Sequence, residues 1–105
     1  MNLDYYKTFY YVALSKNFTK AAELLGNNQP NVTRSMNNLE AELGCRLFAR
    51  SNRGVSLTPI GEPLFQYESA AMDNLEQGEE ENKKTLDIEN GQVTDGSSEK
   101  VLRLM

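Results

Sequence analysis

The pattern that most constrains the fold is a pair of short amphipathic segments separated by a glycine and two asparagines. Residues 19–25 carry apolar residues at helical spacing, and Gly26 follows where a left-handed C-terminal cap is needed. Asn27 and Asn28 then form a turn, and the Asn28 side chain can cap the next helix. In that segment apolar residues recur at helical spacing up to Gly44, namely Val32, Met36, Leu39 and Leu43. The pattern predicts two helices joined by a tight turn.

The flanking segments predict one further helix and a hairpin. Residues 3–15 hold one apolar stripe at helical spacing, made of Leu3, Tyr6, Phe9, Tyr10, Ala13 and Leu14. Residues 45–57 contain two short runs around a polar turn, with the tip expected at residues 52–54. The expected fold is mainly α, a winged helix-turn-helix with a three-helix core and a two-stranded wing over residues 1–61.

A long fourth helix is expected over residues 62–88. Thr58 before Pro59 suits the cap and first turn of this helix. Its apolar stripe can pack on the first helix of the same chain or on a second copy. We favour a second copy, because a long helix leaving a small domain usually needs a partner. The expected dimerisation residues are Leu64, Phe65, Ala71, Met72 and Leu75.

The charges are unevenly distributed along the chain. Through Gly61 there are seven basic and four acidic residues, a net charge of +3, whereas from Glu62 onward four basic and eleven acidic residues give −7. The front of the chain can therefore face phosphate and the back cannot. With no His and only Cys45, neither a conventional metal site nor His-based catalysis is expected, and we expect no cofactor and no enzymatic activity.

The same composition bears on location. The lone cysteine fits a reducing compartment, the N-terminus lacks the marks of a secretion signal, and no apolar run approaches the roughly 20 residues of a membrane span. The expected location is the cytoplasm, with no membrane partner.

The outward face of the third helix carries side chains suited to reading DNA. Gln29, Asn31 and Thr33 can exchange hydrogen bonds with base edges in the major groove, and Arg34 can fork onto guanine or phosphate. Arg53, beside Gly54 at the wing tip, can enter a narrow minor groove. Double-stranded DNA is the predicted partner, and the expected phosphate contacts are Thr19, Lys20 and Arg50.

Several short motifs follow one another in an order typical of one family. They comprise Asn17, Phe18, Thr19, Lys20, Ala21, Ala22 and Leu24, then Gln29 and Pro30, Leu39 and Glu40, Leu43 and Gly44, Leu47 to Arg50, and Leu57 to Gly61. Over about the first 65 residues the chain resembles the LysR-type transcriptional regulators. The resemblance implies that Gln29, Pro30, Thr33 and Arg34 lie at major-groove positions and Arg53 at the wing position, and that the 64–75 stripe dimerises.

The chain departs from this family in three places. Pro63 falls in the first turns of the linker helix, where it removes a hydrogen bond and is expected to kink the start. Asn27 and Asn28 replace the commoner hydrophobic residue and serine, which should be structurally mild because Asn also caps.

Residues 89–97 look like the entry to the family's effector domain. We expect residues 89–105 to be a truncated, poorly ordered start of that domain, which is otherwise essentially absent. A small-molecule inducer, and a tetramer, are therefore expected only of a full-length form.

Some residues allow a second interpretation. The four tyrosines of the first helix are more consistent with core and interface packing than with a ligand platform, and Cys45 with a packed thiol rather than a redox switch. Residues 79–81 fit a solvated face and Arg46 a surface charge. Asn37 and Asn38 are as consistent with phosphate contacts as with solvation.

Two functions remain to be separated. The leading hypothesis is a dimer that binds DNA sequence-specifically and regulates transcription. The alternative is an interaction module that dimerises and titrates full-length regulators.

Overall fold

The computed structural model describes residues 1–89 of the 105-residue chain. In chain order its elements are α1 (Leu3–Ser15), α2 (Phe18–Leu25), α3 (Gln29–Leu43), β1 (Phe48–Ser51), β2 (Gly54–Leu57) and α4 (Gly61–Glu89). The two strands pair antiparallel. The predicted three-helix core, two-stranded wing and long fourth helix are confirmed.

Capping residues fix where the first three helices begin and end. The predicted cap at Asn28 is confirmed, because its Oδ1 accepts a hydrogen bond from the Asn31 amide at 2.9 Å. Gly26 and Gly44 both adopt the left-handed conformation at the ends of α2 and α3, as predicted. A cap that was not predicted is Asn17, which makes α2 begin at Phe18, one residue before the expected start.

Two further boundaries differ from those predicted. Ser51 pairs with Gly54, so the hairpin tip consists of Asn52 and Arg53 while Gly54 is already the first residue of β2. Thr58 caps the fourth helix as predicted, since its Oγ1 accepts from the Gly61 amide at 3.0 Å, and the helix spans Gly61–Glu89, one residue longer at each end than predicted. Pro63 lies within the first turn of α4, and the helix continues to Glu89.

The hydrophobic core lies between the first three helices and the wing. Its largest fully buried side chains are Phe9, Phe48, Met36, Leu39, Leu47, Val12 and Val32. The rings of Phe9 and Phe48 pack at 5.2 Å between centroids, which joins α1 to the wing. Tyr5, Tyr6, Tyr11 and Cys45 pack against this core, as predicted for these residues.

The wing is also held by the turn between α1 and α2. The Val55 amide donates to the Lys16 carbonyl at 3.2 Å. Gly54 has a φ of +120°, and a Cβ built there would lie 2.9 Å from the same carbonyl oxygen. A residue other than glycine would therefore strain the backbone and press β2 away from this turn.

The described residues divide into two units, Met1–Ala70 and a second that begins at Ala71. The described part of the second unit, residues 71–89, is entirely helical. The prediction made for residues 89–105 falls almost wholly outside the described residues. Within residues 1–89, no helix combines the length and apolarity that crossing a membrane requires.

Glu68, in the first unit, is half-buried, and one oxygen of its carboxyl group is buried without a hydrogen-bond partner. Burial raises the pKa of Glu68 from 4.5 to about 7. Between these values the folded chain holds a proton that the unfolded chain has lost. The free energy of unfolding therefore falls as pH rises through this interval and stays lower above it.

We accordingly expect Glu68→Gln to stabilise the protein at pH 8 and to have no such effect at pH 4. Because the side chain is half-exposed, solvent screening limits the gain to about 1 kcal/mol. Thermal unfolding followed by circular dichroism across this pH range measures the effect, with Glu76→Gln as a control at an exposed position. Parallel pH profiles for the wild type and Glu68→Gln would contradict the assignment.

Candidate nucleic-acid interface

The first two turns of α3 carry all five residues predicted for the major groove. Gln29, Pro30 and Arg34 are exposed, and Asn31 and Thr33 are half-buried. Asn28 caps the helix immediately before them and Pro30 occupies its first turn, where a missing N–H costs nothing. The opposite face, with Val32 and Met36, is buried in the core, which fixes the rotation of α3.

Hydrogen bonds hold two of these side chains in defined positions. The Gln29 amide group donates from Nε2 to Thr33 Oγ1 at 3.1 Å, one helical turn along the same face. Asn31 donates from Nδ2 to Asn27 Oδ1 at 3.0 Å, which ties the turn to the helix. Each side chain uses one donor in this way, so further donors and an acceptor remain for a ligand.

The arginines fall into two kinds. Within residues 1–89 the exposed guanidinium groups of Arg34 and Arg53 take part in no hydrogen bond or ion pair with the protein. At the wing tip the Arg53 amide donates to Ser51 Oγ at 3.2 Å, which shapes the turn that carries this side chain. The two arginines predicted for base contacts thus keep their donors free.

Arg50 is bound to the protein instead. Its Nη2 donates to Asn37 Oδ1 at 2.9 Å and lies 3.6 Å from Glu40 Oε1, and its guanidinium carbon lies 4.9 Å from the centre of the Phe18 ring. A third of the side chain is exposed. Its predicted phosphate contact therefore depends on donors that these partners leave over.

At the start of α2 the side chains of Thr19 and Lys20 are exposed. The backbone amide of Lys20, however, is not free to bind an anion. The Asn17 side chain caps the helix and accepts from the Lys20 amide at 2.9 Å. Phosphate binding at this position rests on the two side chains.

Glu40 is a residue of this region whose role the sequence analysis missed. Its side chain is buried among the core residues, with 5% of its surface exposed. Its Oε2 accepts from the amides of Leu47 at 2.7 Å and Phe48 at 3.2 Å, where the wing begins. The available signal was spacing, because Glu40 lies four residues after Met36, on the apolar stripe of α3.

The two outward asparagines of α3 both have partners within the chain. Asn38 Nδ2 donates to the Tyr5 hydroxyl at 3.2 Å, and Asn37 accepts from Arg50. These bonds within the chain were not predicted, since only phosphate contact and solvation were considered for Asn37 and Asn38. Arg46 is exposed, as predicted for a surface charge.

The residues predicted for dimerisation fall into two groups. Leu64 and Phe65 are half-buried and pack against the core of the first unit, where the Phe65 ring stacks on Tyr10 at 5.8 Å between centroids. Packing on α1 of the same chain, the less favoured alternative, is thus observed for this part. In the second unit Met72 is half-buried, Ala71 is exposed and 63% of Leu75 is exposed.

A helix-turn-helix with a polar, exposed recognition face and an arginine-tipped wing defines a winged helix-turn-helix DNA-binding domain. Residues 3–62 match the family of bacterial regulatory helix-turn-helix proteins called the lysR family. The chain belongs to this family, so the resemblance carried by its motifs is confirmed.

Relatives within the family are named as transcriptional regulators. HTH-type transcriptional regulator YofA of Bacillus subtilis strain 168 is 47% identical over 73 residues, which is 70% of this chain and 26% of YofA. HTH-type transcriptional regulator BenM of Acinetobacter baylyi is 36% identical over 89 residues, which is 85% of this chain and 29% of BenM. The chain thus spans little more than a quarter of the length of either relative.

Solved structures with the same fold include complexes with DNA. The BenM_DBD complex with benA site 1 DNA superposes with a TM-score of 0.71 at 37% identity, covering 80% of this chain and 94% of that chain. The CbnR_DBD complex with DNA has a TM-score of 0.67 at 32% identity, covering 80% and 97%. The chain therefore contains a LysR-type DNA-binding domain.

Proposed function

We propose that the chain binds double-stranded DNA sequence-specifically as a homodimer and thereby regulates transcription without enzymatic activity. The observation that carries the proposal is that the first two turns of α3 expose Gln29, Pro30 and Arg34 and the wing tip exposes Arg53, with no protein partner for either guanidinium group among residues 1–89. The likeness to domains solved with DNA supports it.

In this proposal the start of α3 enters the major groove. Gln29, Asn31 and Thr33 exchange hydrogen bonds with base edges, Pro30 contacts them through its apolar ring, and Arg34 forks onto guanine or phosphate. Arg53 enters the adjacent minor groove. Contacts to phosphate from Thr19, Lys20 and Arg50 hold the register without reading sequence.

The dimer forms through the apolar stripe of α4. Leu75, with Ala71 and Met72, supplies apolar surface there, and Leu64 and Phe65 contribute what remains exposed. Two paired domains then read half-sites separated by whole turns of the duplex, about 34 Å per turn. We place this activity in the cytoplasm.

A salt titration of DNA binding, combined with gel filtration, tests the proposal. The probe is the duplex that the wild-type chain recovers from a randomised pool of about 40 base pairs, roughly four helical turns. We expect a dimer that shifts this duplex, with an affinity that falls steeply as salt rises because phosphate contacts release counterions. A dimer that shifts no duplex even at low salt would overturn the proposal and favour the alternative, titration of full-length regulators.

A further inference from the structure

A buried carboxylate on α3, that of Glu40, is hydrogen-bonded to the start of the wing. Glu40 lies in the last turns of α3 and accepts hydrogen bonds through Oε2 from two consecutive amides, those of Leu47 and Phe48. These amides mark the point where the chain enters β1. Charge-assisted hydrogen bonds to backbone amides are short and directional, so the carboxylate sets where the wing begins relative to α3.

The second oxygen of the same carboxylate lies near Arg50, further along β1. Glu40 Oε1 is buried without a hydrogen-bond partner, and the nearest described cation is Arg50 Nη2 at 3.6 Å. Arg50 belongs to β1, and through its contacts with Asn37 and the Phe18 ring it joins the strand to α3 and α2. The two oxygens of Glu40 therefore hold β1 at two points, at its first residue, Phe48, and at Arg50.

We propose that Glu40 is a positioning residue for DNA binding, which holds the wing at the angle that lets Arg53 and α3 engage the same duplex. This inference rests on the proposed function. At about 3.3 Å per strand residue, Arg53 lies on the order of 15 Å along the chain from the Glu40 anchor. A rotation of roughly 10° at the anchor then displaces the arginine by about 2.5 Å, enough to take a side chain out of a minor groove.

A double-mutant cycle separates this role from a purely structural one. Dissociation constants for the recovered duplex are measured for the wild type, Glu40→Gln, Arg53→Ala and the double variant, with Glu42→Gln as an exposed control on the same helix. Both oxygens of Glu40 face donors, so glutamine must place its NH2 group against either the strand amides or the Arg50 guanidinium and break one of the two anchoring contacts. Circular dichroism and titration of the binding-competent fraction verify that each variant is folded.

We expect Arg53→Ala to weaken binding about tenfold in the wild type and less than about twofold when Glu40 is already glutamine, because a misplaced wing no longer makes the contact. Glu40→Gln alone should weaken binding about tenfold, and Glu42→Gln should leave it unchanged. If Glu40→Gln does not fold, the cycle is run with Glu40→Asp, which keeps the charge but withdraws the carboxylate by one methylene.

An equal loss from Arg53→Ala in both backgrounds would overturn the inference, since a merely structural effect is additive with the wing contact. That result would leave the proposed function intact. No loss from Arg53→Ala in the wild type would instead overturn the proposed minor-groove contact, and the inference with it.

Discussion

Replacing Gly61 with alanine is expected to lower the free energy of unfolding by about 3 kcal/mol. A Cβ at this position would lie 2.3 Å from the carbonyl oxygen of Leu47 and 3.1 Å from its carbonyl carbon. These are backbone atoms that cannot rotate away. The same carbonyl oxygen accepts from the Thr58 amide at 3.0 Å, and the amide of Leu47 donates to Glu40. A shift of Leu47 therefore disturbs the wing as well.

Gly78 provides the matched control, because it lies in the same helix and a Cβ there would meet nothing within 4 Å. Gly78→Ala should leave the unfolding midpoint unchanged or raise it, since alanine favours an exposed helix by about 0.5 to 1 kcal/mol over glycine. Urea unfolding at constant pH measures both variants. Equal stability of Gly61→Ala and the wild type would show that α4 does not begin against the wing as described.

Arg34→Ala is expected to weaken binding of the recovered duplex by about 1 to 3 kcal/mol, or roughly five- to 150-fold, and to relax the preference at one base pair of each half-site. The reason is that Arg34 is exposed on α3 near Gln29 and Thr33, and its donors have no partner among residues 1–89. Competition with duplexes altered at single positions measures both the affinity and the lost preference.

Arg46→Ala is the control for this prediction, because it removes the same charge from another exposed position that we do not place at the DNA. It should change affinity far less than Arg34→Ala and leave the base preference as it was. Equal losses from the two variants would mean that Arg34 acts only through net charge, which the docking of α3 in the major groove does not allow.

The parts of the fold that depend on local sequence could be predicted. The apolar stripes of α1 and α3, the glycines that end α2 and α3, and the cap at Asn28 are each determined within a few residues. The exposed face of α3 follows from the same periodicity. A helix that buries Val32 and Met36 turns Arg34 toward solvent and leaves Thr33 half-exposed.

The parts of the fold that depend on contacts between distant residues could not be predicted from the sequence. Arg50 is basic and lies on a strand next to the wing tip, yet Phe18 and Glu40, brought close only by the fold, bind it. The role of Glu40 could not be predicted, because helix spacing places its side chain on the core face of α3 but does not reveal which amides it will meet. The need for glycine at position 61 likewise comes from the Leu47 backbone.

The most direct test of the account is an interference experiment on the recovered duplex with modified purines. Replacement by 7-deazapurines removes the N7 acceptor of the major groove, and replacement by 3-deazaadenine removes the N3 acceptor of the minor groove. We predict 7-deaza interference within each half-site and 3-deaza interference in the adjacent minor groove, the first weakened selectively by Arg34→Ala and the second by Arg53→Ala. Interference confined to one groove, or the same change of pattern from both variants, would contradict the joint docking of α3 and the wing.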